Sequence, residues 1–173
     1  MSQSVESFAE IMAGVRRSAV HLELRDSYGV PNETDNFAAF RRGEWNEAKA
    51  KADRQVWLDL VSNAVGRGVA MRRARVVSVP VTDYIRFEHT GTQLNVDAGE
   101  QVRWLPRRQA SKLRLPGNDF WLFDDRLLQF NIFDGPGSWA HTDFTEDSDV
   151  VEFCSAAFDA VWQLATPHIE FRI

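Results

Sequence analysis

The stretch that decides the fold is ADRQVWLDLVSNAVGRGVAMRRARVVSVP, residues 52–80. Its first part predicts a helix over 52–66, because apolar side chains recur at helical spacing before glycines of the kind that end helices. The side chains at this spacing are those of Val56, Trp57, Leu60, Val61 and Ala64. Its second part, residues 69–79, is rich in β-branched residues and predicts a strand that ends before Pro80. A helix, a glycine turn and an apolar strand in this order are typical of an α/β layer.

The segments on both sides continue the alternation of helices and strands. Further helices are predicted over 4–17, 33–51, 81–89 and 147–166. Further strands are predicted over 18–26, 101–105, 119–125 and 126–134, the last two joined by a tight turn at Asp124-Asp125. Residues 90–100 and 135–148 show neither period and are predicted as loops. We therefore expect an α/β fold with a mixed sheet of about four to six strands, flanked by helices and packed by 52–66 and 147–166.

The length of 173 residues indicates one domain, with an N-terminal helical or extended region over 1–51 and an α/β core over 52–173. No run of about 18 apolar residues occurs, so no membrane-spanning helix is expected, and the opening MSQSVESF has no signal-peptide pattern. Cys154 is the only cysteine, which excludes an internal disulfide and a thiolate zinc cluster. We therefore expect a cytoplasmic protein.

The net charge of −5 is unevenly distributed along the chain. Residues 66–114 carry 10 basic and 4 acidic residues, whereas residues 115–173 carry 2 basic and 11 acidic residues. The two segments either pair with each other across the fold or form two faces of opposite sign. A positive face left over after such pairing is where we expect a small anionic ligand to bind.

Period-2 alternation places His21, Glu23 and Arg25 on one face of the strand predicted over 18–26. A histidine beside a carboxylate and a guanidinium is a set of groups suited to acid–base catalysis or to oxyanion binding. On this hypothesis His21 is the catalytic base, Glu23 orients it, and Arg25 contributes to ligand binding. The alternative is a polar strand face whose charges are neutralised by the basic middle segment.

Arginines in the middle of the chain form the second candidate site. Arg73 and Arg75 share one face of the strand after the glycine turn, and a guanidinium binds phosphate or carboxylate through two parallel hydrogen bonds. The further candidate ligand-binding residues are Arg86, Arg103, Trp104, Arg107 and Asp119. The alternative is that these arginines form ion pairs with Glu100, Asp119, Asp124 and Asp125. Overall acidity and the lack of a helix-turn-helix or RNA-binding motif argue against direct binding of nucleic acid.

Metal and cofactor chemistry has little support in the sequence. Asp119, Asp124 and Asp125 have the oxygen donors for a divalent cation, but aspartates at tight turns also serve as local hydrogen-bond acceptors. None of the four histidines has HxxxH or HExxH spacing, so no metal site is expected. Glycine-rich nucleotide loops, GxSxG and kinase motifs are absent, and we expect no cofactor.

Five further stretches stand out by their order and spacing. They are SAVHLELRDSY (18–28), RGVAMRRARVVSVPVTDYIRFE (67–88), GEQVRWLPR (99–107), LPGNDFWLFDD (115–125) and AFDAVWQLATPH (157–168). Together, over nearly the whole chain, they resemble an uncharacterised family of actinobacterial proteins, a domain of unknown function. Its members are typically encoded near helix-turn-helix regulators, so the resemblance implies such a regulator as a partner.

The succession of elements is also similar, at the level of the fold, to half of a phospholipase-D-like domain. The elements that carry this similarity are the helix, RGV turn and basic strand, the FWLFDD hairpin and a terminal helix ending in Ala165-Thr166-Pro167. That superfamily uses a His-x-Lys motif, but no histidine of this chain has a lysine two places later. The similarity therefore implies a degenerate copy of the fold that lacks phosphohistidine chemistry and acts as a sensor or interaction domain.

The sequence leaves more than one function open. The first is a regulatory or interaction protein that partners a helix-turn-helix regulator or senses a small anionic ligand. The second is a hydrolase or transferase for a phosphate- or carboxylate-bearing substrate, using His21, Glu23 and the arginine cluster. A cavity lined by arginines would favour the first, and His21 hydrogen-bonded to a carboxylate in a pocket would favour the second. A protein–protein partner without any pocket is the third.

Overall fold

The computed structural model describes residues 5–30 and 33–173, in which one seven-stranded sheet lies between helices on both faces. The strands are β1 (Ser18–Glu23), β2 (Ala70–Val77), β3 (Gln101–Pro106), β4 (Asp119–Phe123), β5 (Leu127–Phe133), β6 (Trp139–Thr145) and β7 (Thr166–Pro167). The helices are α1 (Val5–Gly14), α2 (Thr34–Arg41), α3 (Glu47–Asp53), α4 (Gln55–Gly66), α5 (Asp83–Asp97) and α6 (Ser148–Leu164). The predicted α/β class with a mixed, helix-flanked sheet is confirmed. The sheet has seven strands, more than the predicted four to six.

The order of strands across the sheet is β6-β5-β4-β1-β2-β3-β7. The three central strands β1, β2 and β3 run parallel, and β4 lies antiparallel beside β1. β5 and β6 extend the sheet antiparallel on that side, while β7 pairs antiparallel with β3 on the other. β1 comes from the segment 1–51, so the α/β sheet begins before residue 52.

The two faces of the sheet pack against different helices. Leu22 of β1 is buried in a core that contains Phe158 of α6. Met71 of β2 lies on the opposite face, in a core shared with Val61 of α4, and Phe87 of α5 is buried in the adjoining cluster. The face under α4 and α5 also carries His21, Glu23, Arg73 and Arg75.

Two predicted loops are wrong. Residues 90–100 continue α5 as far as Asp97, and residues 139–145 form β6. The hydrophobic pattern does not reveal the second half of the helix, because this half buries polar side chains, Thr92 and Asn95 among them. The pattern does not reveal β6 either, because most of its side chains are exposed, as expected for a strand at the edge of a sheet.

The boundaries near the deciding stretch also differ from the prediction. α3 ends at Asp53 and α4 begins at Gln55, so the helix predicted from residue 52 is two helices that meet at Arg54. Val56 was expected in the buried stripe but is 70% exposed, whereas Val61 and Ala64 are buried as predicted. The predicted turn at Asp124-Asp125 is present, with both residues at positive φ, 52° and 53°. This is the backbone form that suits a two-residue hairpin turn.

Candidate functional site

The parallel pairing of β1 with β2 brings the two candidate sites of the sequence together. His21 lies opposite Arg73, and Glu23 lies opposite Arg75. All four side chains lie on the face that α4 and α5 cover, because residues two apart in a strand share one face. His21, Arg73 and Arg75 are buried, and Glu23 is nearly so. The row therefore lies beneath helices and is not open to solvent.

Arg73 is held by two carboxylates. Its Nε donates to Glu100 Oε1 at 2.7 Å, and its Nη1 donates to Glu23 Oε1 at 3.1 Å. Glu100 is 1% exposed and also accepts a hydrogen bond of 2.7 Å from Asn95 Nδ2. The Arg73 guanidinium further lies 5.7 Å from the ring centroid of Trp121, a cation–π distance. Its charge is thus already neutralised within the protein.

Arg75 lies two residues after Arg73 on β2 and is also held by two carboxylates. Its Nη2 donates to Glu88 Oε2 at 2.8 Å, and its Nε lies 3.0 Å from Glu23 Oε2. The guanidinium lies 5.2 Å from the ring centroid of Trp104, which is fully buried. Burial opposes the ionisation of Glu23, but Arg75 and Arg73 outweigh it and hold the Glu23 pKa well below its usual range.

The chain of charges continues to Arg54, between α3 and α4, and to Glu33, just before α2. Arg54 Nη2 lies 3.5 Å from Glu88 Oε1 and 3.5 Å from Glu33 Oε1. Gly91 on α5 makes room for this guanidinium, since a Cβ there would lie 2.8 Å from Arg54 Nη1. Tyr84 donates its hydroxyl to Glu33 Oε2 at 2.7 Å.

We call the connected charged residues the buried ion network. Its members are Glu23, Glu33, Arg54, Arg73, Arg75, Glu88 and Glu100. Burial, and then the charge of Glu88, raises the pKa of Glu33 to about 7. When Glu33 is protonated, three carboxylates of the network face three guanidiniums. The network therefore has a neutral state that needs no external anion.

His21 is enclosed by acceptors and rings. Its Nδ1 lies 2.9 Å from the backbone oxygen of Phe120, and its Nε2 lies 3.2 Å from Glu23 Oε1. The imidazole stacks on Trp121 with 4.2 Å between ring centroids. Burial lowers the pKa of His21 below its ordinary value. The predicted contact between His21 and Glu23 exists, but both ring nitrogens already face protein oxygens.

Asp119 lies at the edge of this region, at the start of β4. Its Oδ1 accepts a hydrogen bond of 2.9 Å from the backbone N–H of Leu24, and its Oδ2 accepts a short one from the Tyr28 hydroxyl. Burial, and then the charge of Glu23, raises the pKa of Asp119 to about 7. Asp119 thus ties the segment after β1 to β4 and contacts no predicted arginine.

The other predicted ligand-binding residues lie apart from one another. Arg25 lies over Phe133, and Arg86 is exposed on α5. Arg103 is on the opposite face of the sheet, 4.4 Å from the ring centroid of Trp162. Arg107 donates to the backbone oxygens of Leu24 and Val76 at 2.6 and 2.9 Å. These four arginines do not converge with Arg73 and Arg75.

Of the predicted ion-pair partners, Glu100 is correct for Arg73, whereas Asp119 and Asp124 make other contacts. Asp124 accepts hydrogen bonds from the backbone N–H groups of Arg16, Arg17 and Ser18, so it ties the turn to the segment before β1 and does not have the expected local role. The sequence missed Glu88 and Arg54. The available signal was the spacing of Tyr84, Glu88 and Asn95, which places polar groups on one face of a helix if the helix runs beyond residue 89.

Hollows at the surface lie away from the network. One of about 540 Å³ lies between the β4–β5 turn and α6, where Asp125, Glu146, Glu152 and Asp159 contribute carboxylates. Another, of about 230 Å³, lies between α1 and the same turn. Within residues 5–30 and 33–173, no group of three or more histidine, cysteine or acidic side chains is arranged to hold a metal ion. No helix in this part of the chain is long and apolar enough to cross a membrane.

The chemistry available to the network follows from this geometry. A nucleophile or a general base must reach the substrate atom within hydrogen-bonding distance. His21 and the arginines of the network are instead covered by the helices and engaged with one another. The arrangement can neutralise and orient charge inside the fold, while a reacting group would first have to be uncovered.

Solved structures with the same fold include three proteins. Nuc from Salmonella typhimurium, a phospholipase D family member, is 9% identical with a TM-score of 0.54, over 95% of this chain and 88% of that one. NucT from Helicobacter pylori is 9% identical with a TM-score of 0.52, over 94% and 89%. TrmBL2, an archaeal chromatin protein with a novel mode of DNA binding, is 14% identical with a TM-score of 0.51, over 94% and 50%. This chain thus spans half the length of TrmBL2.

At these identities the likeness shows the fold alone, and it confirms the predicted similarity to phospholipase-D-like domains. No curated protein matches the chain. The model of a domain of unknown function, DUF6879, matches residues 6–173, which is nearly the whole chain. The resemblance to an uncharacterised family is therefore confirmed, and the chain belongs to the DUF6879 family.

Proposed function

We propose that this protein acts by binding, as a regulatory or interaction protein, and does not hydrolyse a substrate through His21 and Glu23. The observation that carries the proposal is that the charges of the buried ion network are paired with one another. Arg73 and Arg75, the arginines best placed to bind an oxyanion, are buried and paired with Glu23, Glu88 and Glu100. An entering anion would have to displace these carboxylates from the arginines. No water can solvate the displaced charges inside the fold, so the cost is several kcal/mol.

The absent motif supports the same proposal. Phosphohistidine chemistry in the fold that this chain resembles uses a His-x-Lys motif, and the residue two places after His21 is Glu23. A carboxylate at this position repels a phosphate, whereas a lysine attracts one. In this protein, Glu23 forms ion pairs with the two arginines of β2, Arg73 and Arg75.

A hydrolase or transferase remains the second candidate, because one observation favours it. His21 Nε2 lies 3.2 Å from Glu23 Oε1, which is the contact expected of a base and the group that orients it. For this candidate to be correct, α4 or α5 must move and expose His21.

Turnover assays decide between the two candidates. Purified protein is incubated at neutral pH with p-nitrophenyl phosphate, bis-p-nitrophenyl phosphate and p-nitrophenyl acetate. We expect the rates to equal those of buffer and of the His21→Gln variant, which retains a polar side chain. Turnover by the wild type that His21→Gln abolishes, with both proteins folded by circular dichroism, would overturn the proposal.

The proposed small anionic ligand has to be bound outside the network. Arg103 and Arg72 lie 4.4 and 5.5 Å from the ring centroid of Trp162, and neither forms an ion pair with any residue that the structure describes. The Arg72 Nε is buried without a hydrogen-bond partner. Two guanidiniums beside one indole therefore offer the charge that Arg73 and Arg75 do not.

Thermal shift measurements test this ligand. Inorganic phosphate, pyrophosphate and nucleotides are titrated against the wild type, Arg103→Gln and the control Arg108→Gln, which changes an exposed arginine. A ligand at one hundred times its dissociation constant adds about 2.7 kcal/mol of stability. We expect a shift that Arg103→Gln removes and Arg108→Gln retains. The absence of any shift would contradict the ligand and leave the protein partner.

The finer identity of the partner comes from the family resemblance alone. We propose a helix-turn-helix regulator, in a cytoplasmic setting, without direct contact of this chain to nucleic acid. Size-exclusion chromatography of the chain mixed with a candidate regulator is expected to give a joint peak, and the same column run with duplex DNA is expected to give none. A DNA complex in the absence of the regulator would reverse this assignment.

A further inference from the structure

The two edges of the sheet are built differently. β7 has only two residues and contains Pro167, which lacks an N–H group and so discourages a further strand. β6 has seven residues, from Trp139 to Thr145, contains no proline and pairs with β5 on one side only among the residues described. Proteins commonly protect edges by shortness, proline or charge. In this sheet β7 has the first two of these features, whereas β6 has only the charge of Asp143 and the irregularity at Ala140.

β6 also exposes side chains that would benefit from being covered. Phe144 is 48% exposed, the largest fraction for any aromatic ring among the exposed large apolar residues. An exposed ring on a free edge is unfavourable. The strand thus has an apolar reason to take a neighbour.

The charges on β6 determine which neighbour fits. His141 and Asp143 are exposed and share one face of the strand, with 3.6 Å between His141 Nε2 and Asp143 Oδ1. When two copies of β6 pair antiparallel about a two-fold axis normal to the sheet, each side chain stays on the same face of the sheet in both copies. Facing residues must then belong to the same face, so the axis lies midway between the two copies of a single residue. With the axis at Thr142, His141 faces Asp143 of the partner subunit. An axis at Asp143 would instead place two carboxylates opposite each other, which is unfavourable, and an axis at His141 would leave each imidazole facing its own copy and no carboxylate.

The same register serves the other two side chains. The two Thr142 residues meet at the axis, where facing Cβ atoms lie about 4.5–5.5 Å apart, so no charged or bulky side chain opposes its own copy there. Phe144 points towards Ala140 of the partner subunit. Ala140 lies at the irregularity of the β5–β6 pairing, and its small side chain leaves room for a ring. One register therefore suits His141, Asp143 and the exposed aromatic side chain.

We propose that two copies of this chain pair through β6, antiparallel and centred on Thr142, so that their sheets join into one. The interface would place both α6 helices on the same face of the joined sheet, because the two-fold axis is normal to it. This inference is independent of the proposed binding function, since it concerns a second copy and an edge remote from the buried ion network.

Cysteine scanning tests the register directly. The variants Thr142→Cys, His141→Cys and Asp143→Cys are oxidised mildly at equal concentration. Only Cys at position 142 would face itself at a Cα separation that a disulfide spans. The native Cys154 is buried and does not compete. We expect Thr142→Cys to form a covalent dimer at least about tenfold faster than the two neighbours. Equal rates for the three variants would contradict the register.

Sedimentation equilibrium of the wild type and charge variants tests the dimer itself. Asp143→Lys replaces the carboxylate that faces His141 by a cation twice in each dimer, and we expect its dissociation constant to rise about tenfold. The double variant His141→Asp/Asp143→Lys restores opposite charges and should return the constant towards the wild-type value. All these side chains are exposed, so circular dichroism should show unchanged folding. A wild type that is monomeric at high concentration, or a double variant no better than Asp143→Lys, would overturn the proposal.

Discussion

Replacement of Glu100 by glutamine tests whether the buried ion network is part of the stability of the fold. Glu100 is 1% exposed and accepts from Arg73 Nε and Asn95 Nδ2, both at 2.7 Å. Glutamine has nearly the same shape and keeps an oxygen for Arg73. The Asn95 Oδ1 lacks a partner in the wild type, so this amide can turn and accept from the new NH₂ group. The substitution therefore removes a charge and few contacts.

The magnitude follows from the charge that is left behind. With a neutral amide at position 100, the only carboxylate left to Arg73 is Glu23 at 3.1 Å, which Arg73 shares with Arg75. Breaking one partner of a buried ion pair costs about 3–5 kcal/mol. We expect about 3 kcal/mol for Glu100→Gln and about 5 kcal/mol for Glu100→Leu, which also leaves the Arg73 and Asn95 donors without an acceptor.

Urea denaturation followed by tryptophan fluorescence measures these costs. With a slope of about 2 kcal/mol per molar urea, the midpoint of Glu100→Gln should fall by about 1.5 M. The double variant Arg73→Met/Glu100→Leu removes both charges, so its cost should be at least about 2 kcal/mol smaller than the sum of the single variants.

Two results would refute this reasoning. One is a loss below about 1 kcal/mol for Glu100→Gln, which is the size of an ordinary surface effect. The other is additivity of the double variant within about 0.5 kcal/mol, which is typical of residues that do not interact. In either case the carboxylates would be retained for a reason other than folding, and a ligand-binding role for Arg73 would gain support.

The remaining predictions concern the pH dependence and the β4–β5 turn. The folded pKa of Asp119 is raised to about 7, so its contribution to stability is complete below the unfolded value of about 3.9 and is lost as the pH rises through about 7. In thermal melts, Asp119→Asn should therefore gain on the wild type progressively between about pH 4 and about pH 7 and no further above that, and a constant difference would contradict the shift. Asp125→Gly relieves a positive φ of 53° and should stabilise by about 0.5–1 kcal/mol in urea denaturation. Asp124→Ala loses the acceptor of three backbone N–H groups and should destabilise by about 1–2 kcal/mol, with a smaller loss for Asp124→Asn; equal losses would argue against those hydrogen bonds.

The sequence predicted those parts of the fold whose side chains follow a simple period. The strand from Val69 was predicted because it is rich in β-branched residues, and the preceding helix because its apolar side chains recur at helical spacing. The Asp124-Asp125 turn lies between two clear strands. The extension of α5 was not predicted, since Thr92 and Asn95 are polar and buried. The sequence alone does not distinguish a polar residue that faces buried charges from one that faces water.

The candidate site was predicted in part for the same reason. The alternation in β1 and β2 placed His21, Glu23, Arg73 and Arg75 on single faces, and the register then brought the two rows together. Glu100 was foreseen as an ion-pair partner of the arginines. Glu88 was not, because its helix was expected to end at residue 89 and its partner lies on a strand 13 residues earlier. Pairing between elements depends on tertiary packing, which a single sequence does not display.

The central place of β1 has a consequence for the way the chain is made. Val20 and Leu22 leave the ribosome early, but one neighbour of their strand starts at Ala70 and the other ends at Phe123. Synthesis proceeds at about 5–20 residues per second, so β1 waits several seconds for its second neighbour. Pairing with β2 can begin once residue 77 has been made, but β1 stays at an open edge until β4 arrives, and closing such long loops is slow. The nascent chain therefore exposes an incompletely paired apolar strand to chaperones for most of its translation. The rate at which residues 70–123 emerge determines when that exposure ends.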